Sequence, residues 1–271
     1  MNVFLKIGRQ ALVLGFDPRK TLAVLRHGRQ VWSDRREFHR QLKISRFAGD
    51  FATGSQWLFF EDRFDNAGTA SGHYFHQDLL VAHAIFKNQP KRHVDVGSSI
   101  YGFVSHVASF REIEVIDVRP LPDTVHGIKF RQMDITDIES VPERVCDSLS
   151  SLHAVEHFGL GRYGDPIDAD GWYKGLKSFA KMLIAGGTLY FSVPTSKHQR
   201  VEFNAHRVFS VPFLEKVLTE DFEVEEISFV NDEGSVITNC SLTDKDFRDS
   251  FGCEYGCSIW TLKKKEKYQA S

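Results

Sequence analysis

From residue 92 onward the chain repeats one pattern: an apolar run of strand length, a polar turn, then a stretch with helical periodicity. Strand-like runs fall at 92–97, 112–118, 127–131, 145–152 and 187–193, with helical stretches at about 101–110, 171–184 and 210–219. Such alternation predicts βαβ units and therefore a largely parallel sheet covered by helices. Gly186-Gly187 is placed to close the helix before the fifth strand. Two further runs, Phe222–Val230 and Cys257–Lys263, have no evident helix between them and are expected to pair antiparallel at the sheet edge.

The first 90 residues read differently. Lys20–Val31 and Arg35–Leu42 carry helical patterns, residues 66–72 (NAGTASG) form a flexible break, and Gln77–Phe86 is an apolar helix ended by Asn88-Gln-Pro90. The expected organisation is a basic, mainly helical N-terminal extension over 1–72, an α/β domain over 73–265 and a short tail over 266–271. Residues 1–46 hold eleven Lys/Arg (Lys6, Arg9, Arg19, Lys20, Arg26, Arg29, Arg35, Arg36, Arg40, Lys43, Arg46) against three acids, a formal +8 in a chain whose total is −2. This arm suits either an anionic lipid or phosphorylated lipid carrier, or an ordinary solvated helical face.

Near neutrality overall, with a pI of about 6.6, gives no reason to expect a nucleic-acid partner. No apolar run reaches membrane-spanning length, and the apolar part of residues 11–16 is too short for a signal-peptide core. The expected location is cytoplasmic, with peripheral membrane association open to the basic arm. The four cysteines, Cys146, Cys240, Cys253 and Cys257, contain no CxxC pair and suggest neither a disulfide framework nor a zinc knuckle.

Chemistry concentrates at the expected strand ends. Residues 93–102 (HVDVGSSIYG) place a turn after the first strand with Gly97 at its tip, where a φ-permissive residue lets a ligand approach the backbone. The second strand ends in Asp117, twenty residues on, where a carboxylate can accept both hydrogen bonds of a ribose diol. The spacing GxGxxG is absent, since the next glycine is Gly102, and this favours a ligand without a pyrophosphate over a nicotinamide dinucleotide. Asp134-Ile135 follows the third strand and is placed for an adenine. Residues 147–157 (DSLSSLHAVEH) carry a fourth strand into a polar turn.

In these motifs the chain resembles the class I S-adenosylmethionine-dependent methyltransferases over roughly residues 75–265. The resemblance implies an α/β fold, a Rossmann-like doubly wound seven-stranded sheet, with S-adenosylmethionine as cofactor. It further implies that Asp95, Gly97 and Ser98 cradle the methionine end, Asp117 holds the ribose, and Asp134 with Ile135 reaches the adenine. Gln77, ahead of the first strand, is expected to cover the cofactor. Ser98-Ser99-Ile100-Tyr101 stands where that family usually has a second glycine. A narrower resemblance rests on residues 74–78 (YFHQD), the first-strand motif and residues 156–165 (EHFGLGRYGD). It points to a poorly characterised methyltransferase-like family of nematodes and bacterial polysaccharide gene clusters, and so to a sugar or glycan acceptor.

Methyl transfer to oxygen needs an aligned hydroxyl whose proton can leave. His153, Glu156 and His157 fall at i, i+3 and i+4, and His206 follows the fifth strand. His153, His157 and Asp165 are therefore candidate catalytic residues. His153, Glu156, His157 and His206 are also a candidate site for a divalent ion such as manganese or magnesium, similar to the metal segment of small-RNA 2′-O-methyltransferases. The glycine-rich loop after Gly159 offers Arg162 and Tyr163 to an acceptor, and Arg207 could bind its phosphate or carboxylate. Besides sugar O-methylation, methylation of another small molecule or an RNA terminus, or a non-catalytic scaffold in polysaccharide assembly, fits the same motifs.

Overall fold

The computed structural model describes residues 18–51, 54, 58–60 and 66–266. Lys6, Arg9, the apolar run at 11–16 and all but the first residue of the expected tail lie outside them. The chain divides into two compact units, Met1–Thr69 and Ala70–Ser271. In the first, α1 (Pro18–Ile44) is one continuous helix rather than the two stretches expected. Ser33 and Asp34 do not interrupt it, because Gln30 donates to Asp34 one turn later at 2.8 Å. No helix of the described residues is long and apolar enough to cross a membrane.

The second unit opens with α2 (His73–Asn88) and continues into β1 (His93–Val96). A single π turn over Ile100–Val104 leads into the short α3 (Ser105–Ala108), followed by β2 (Ile113–Asp117), β3 (Ile128–Gln132) and β4 (Cys146–Leu152). Then come α4 (Gly171–Met182), β5 (Leu183–Thr195), the small hairpin β6 (Arg200–Glu202) and β7 (His206–Val208), and α5 (Val211–Leu218). The chain closes with β8 (Phe222–Val230), β9 (Val236–Ile237), α6 (Lys245–Arg248) and β10 (Gly256–Lys264).

The main sheet runs β3-β2-β1-β4-β5-β10-β8-β9. Its first five members are parallel, and β10 lies antiparallel between β5 and β8. This is the expected α/β, Rossmann-like doubly wound arrangement, with strand order reversing at β1. The two late runs do pair antiparallel. The sheet has eight strands rather than seven because Asn231 folds the segment after β8 back through a tight turn, adding the two-residue β9.

Strand periodicity explains the layering. Along β5, Leu189, Phe191 and Val193 enter one core with Phe179, Leu214, Phe229 and Trp260, while Tyr190 enters the opposite core with Ile85, Phe103, Val107 and Ile259. The expected helix stop at Gly186-Gly187 is instead a bulge within β5. Cys146 pairs with Leu183 and Ser148 with Thr188, so one β4 residue faces four of β5, and Gly186 takes φ +70° to allow it.

Candidate functional site

The carboxyl ends of β1, β2 and β4 and the turn after β3 frame a cleft. Gly97, Asp117, Asp134, Ile135, His153, His157, Tyr163 and Asp165 line it. A second cavity adjoins it through Gly97, Arg119, His153, His157 and Tyr163, and adds Ser98, Glu156, Arg162, His206, Tyr74 and Tyr255. The chain therefore carries two neighbouring compartments on the rim where doubly wound sheets bind ligands.

Gly97 sits at φ +73°, and a Cβ there would lie 3.0 Å from the Ala154 Cβ. Both constraints require glycine, which leaves bare backbone facing the cleft. Asp95 stands behind this turn rather than in the cleft. It is fully buried, accepts from Ser98 N at 3.1 Å, Ser98 Oγ at 2.6 Å and Ser150 Oγ at 2.5 Å, and lines neither cavity. Burial pushes its carboxyl up to about 7 against these stabilising bonds. Gln77 is likewise internal: its amide oxygen accepts from Ser192 Oγ at 2.6 Å, and it lies 1% exposed between α2 and β5. Both residues are engaged by hydrogen bonds within the turn and its backing. Where a second glycine is usual, Ser99 caps the π turn by accepting from Gly102 N, and Gly102 itself packs so tightly that a Cβ would meet the Asp78 carboxylate.

Asp117 reaches the cleft from the end of β2, held by Arg119. The guanidinium donates to both carboxylate oxygens at 3.0 and 2.7 Å and covers the Tyr163 ring at 4.3 Å. Sequence reading missed Arg119, although its position two residues after the strand-end acid was a usable signal. Asp134 accepts from Thr136 N and Oγ1 through Oδ1, fixing the turn after β3, and Ile135 supplies an apolar wall.

The residues after β4 form a buried polar centre. His153 adopts φ +50° and places Nδ1 2.7 Å from Glu156 Oε1, while Val155–His157 is a 3₁₀ turn that brings His157 Nε2 to 3.8 Å from the same carboxylate oxygen. Burial alone would lower the His153 pKa, but the Cys257 thiol and the Glu156 carboxylate beside it hold it well above the ordinary value. Burial would likewise raise Glu156, and His153 holds it low. Burial lowers His157, whose Nδ1 meets the Ala205 carbonyl at 2.7 Å, so Nδ1 carries the proton and Nε2 is the basic nitrogen.

The expected four-residue metal set is not gathered at one point. The His157 and His206 rings are 6.5 Å apart by centroid, and His206 Nε2 lies 3.6 Å from Glu202. Among the described residues, the group of three or more His, Cys or carboxylate donors that all lie within 4.8 Å of one another is His73, His153 and Cys257. Neither His73 nor Cys257 was singled out from sequence, since 184 residues separate them and only the sheet topology joins them.

Asp165 lines the first cleft, yet its carboxylate is occupied by the loop: it accepts from the backbone N–H groups of Gly159, Gly161 and Tyr163. Arg162 and Tyr163, held on this tied loop, face the second cavity. Arg207 does not. It is 6% exposed and donates to the carbonyls of Glu156, Phe158 and Ala169, which makes it a brace for the loop.

Comparison with known proteins gives three findings. The family described as Caenorhabditis protein of unknown function, DUF268, matches residues 123–245, fewer than half of the chain. No curated protein sequence matches. Among solved structures, the N-methyltransferase NodS from Bradyrhizobium japonicum, in complex with S-adenosyl-L-homocysteine, is 15% identical over 72% of this chain and 89% of that chain, with a TM-score of 0.47. The [4+2]-cyclase SpnF is 13% identical over 70% and 82%, with a TM-score of 0.49. The YcgJ protein from Bacillus subtilis is 12% identical over 71% and 99%, with a TM-score of 0.48.

Proposed function

We propose that this protein transfers the methyl group of S-adenosylmethionine to a hydroxyl of a sugar or glycan intermediate. The observation that carries the reading is the paired cleft: Gly97, Asp117 and Asp134-Ile135 in one compartment, and a histidine-rich compartment adjoining it at Gly97. The first compartment suits a nucleoside without a pyrophosphate. It has one tip glycine where dinucleotide sites use three, a strand-end acid for a diol, and an apolar wall from Ile116, Met133 and Ile135. The sheet also departs from the dinucleotide-binding order, because antiparallel β10 is wedged between β5 and β8.

Gly97, Asp117 and Asp134 would hold S-adenosylmethionine, whose sulfonium would supply an electrophilic methyl group. His157 Nε2 would accept the acceptor hydroxyl's proton as the methyl group passes to its oxygen, with the thioether as leaving group. The lowered His157 pKa keeps that nitrogen unprotonated near neutral pH. The His153–Glu156 pair holds the turn that presents His157, and Tyr74, Arg162, Tyr163 and Tyr255 offer the rings and donors a sugar needs. The basic residues of α1 would bring the enzyme to an acceptor carried on anionic lipid.

The test is label transfer from [methyl-³H]S-adenosylmethionine to a panel of nucleotide sugars, oligosaccharides and lipid-linked sugars, with product analysis by mass spectrometry. The reading predicts an O-methyl sugar whose formation slows by about 10²–10⁴ in His157→Gln, the usual worth of a general base. Label on nitrogen, or a rate unchanged in His157→Gln, would refute it.

A further inference from the structure

Beside the second cavity the chain leaves polar atoms unsatisfied. Among the described residues, His153 Nε2 and Glu156 Oε2 are buried and have no hydrogen-bond partner. Native interiors rarely tolerate such atoms without a water, ion or ligand to meet them. His153 belongs to a compact donor cluster: one ligand atom each from His73, His153 and Cys257 lie within 4.8 Å of one another. The three residues come from the first position of α2, the left-handed turn after β4, and β10.

The surroundings of each donor fit metal ligation. A metal-binding imidazole typically gives its second nitrogen to a carboxylate or backbone carbonyl, which fixes the ring and its tautomer. His153 Nδ1 is held by Glu156 Oε1 at 2.7 Å, and His73 is hydrogen-bonded to the Tyr255 backbone. The two rings are stacked, with centroids 5.1 Å apart and an interplanar angle of 10°, so one ring rotates to bring its in-plane lone pair onto an ion shared with the other. The Cys257 thiol is fully buried beside His153, with long contacts to Gln77 Oε1 at 4.0 Å and the Ser258 carbonyl at 3.9 Å.

We propose that His73, His153 and Cys257 bind one divalent transition-metal ion of the zinc class. One soft thiolate and two imidazoles match zinc and are poor ligands for magnesium or calcium, which take oxygen donors. Tetrahedral zinc needs donors about 3.5 Å apart, and those of this cluster lie within 4.8 Å of one another. Binding forms one metal–sulfur and two metal–nitrogen bonds and releases to solvent the thiol proton of Cys257 and the proton that the His153 imidazolium carries on its ligating nitrogen. Three protein ligands leave a fourth position, and His153 borders both cavities, so that position is available to water or an acceptor hydroxyl. This ligand set is distinct from one built on His157 and His206, and its test is independent of the methyl-donor reading.

The experiment uses tag-free, full-length protein. Zinc content is measured by elemental analysis after growth with added zinc, and metal-free protein is titrated with Co²⁺ while absorbance is recorded. The result expected is about one metal per chain, with tetrahedral d–d bands and a sulfur-to-cobalt charge-transfer band in the near ultraviolet. Cys257→Ser abolishes the charge-transfer band, His73→Ala loses stoichiometric zinc, and Glu156→Gln weakens binding about 10–100-fold, the usual cost of losing such a supporting partner. Circular dichroism establishes that each variant is folded. X-ray absorption at the zinc edge of the wild-type protein tests the same assignment without a substitution, through one sulfur neighbour at about 2.3 Å. Absence of stoichiometric uptake by the wild type, uptake unchanged in both Cys257→Ser and His73→Ala, or a zinc shell without sulfur would overturn the proposal.

Discussion

The buried Asp95 carboxyl makes a quantitative prediction about pH. Its ordinary value is 3.8 and burial raises it to about 7 in the folded chain, so folding favours its protonated form. Stability from this group is therefore fully present below its unfolded value and is lost as pH rises through about 7. The gap corresponds to about 4 kcal/mol, of which about 3 kcal/mol falls between roughly pH 4.5 and pH 8. That is a large share of the roughly 5–15 kcal/mol that holds a typical domain folded. Asp95→Asn removes the titration while keeping the shape. At low pH the variant matches the wild type most closely, because its amide, like the protonated carboxyl, keeps one carbonyl oxygen to accept from Ser98 and Ser150. Its stability relative to wild type should then climb by about 3 kcal/mol toward pH 8. Urea unfolding of both proteins at several pH values measures this difference directly, and other titrating groups, such as Asp78, cancel between them. A wild-type-minus-variant difference that stays flat with pH would refute the claim that the carboxyl is enclosed behind the turn.

Two further substitutions separate the cleft from its supports. Gly97→Ala forces a side chain into a left-handed position, costing about 1–2 kcal/mol, and places a methyl against Ala154 at the cleft wall. Melting should fall by about 2–8 °C, and S-adenosylhomocysteine binding should weaken by more than about tenfold, equivalent to about 1.4 kcal/mol; lower melting with undiminished binding would remove the glycine from the cleft. Arg207→Met strips donors from the carbonyls of Glu156, Phe158 and Ala169 and should cost about 3 kcal/mol in urea unfolding. A variant of wild-type stability that loses acceptor affinity would return Arg207 to a substrate-binding role.

The fold was legible because its signals are local and periodic. Val94 and Val96, or Leu189, Phe191 and Val193, announce one buried face every second residue, and strand ends on one rim follow from parallel order alone. Gly97, Asp117 and Asp134 were found that way. What stayed hidden were partners distant in sequence. Asp95, Gln77, Arg207 and Asp165 have the residue types of ligand-binding groups, yet each is engaged by internal hydrogen bonds. For Asp95 and Gln77 these come from Ser150 and Ser192, 55 and 115 positions away. Conversely, His73 opens a helix and Cys257 sits in an apolar strand, so neither looks chemical until β10 inserts beside β5. The β5 bulge and the two-residue β9 escaped because short irregular segments carry no period.

The central claim is that the Gly97–Asp117–Asp134 cleft binds the methyl donor. Calorimetric titration of the full chain with S-adenosylmethionine and S-adenosylhomocysteine, in wild type and Asp117→Ala, tests it most directly. The account predicts micromolar-class binding, about 8 kcal/mol, that is lost in Asp117→Ala while the fold persists. Absence of binding in the wild type, or equal affinity in the variant, would contradict it.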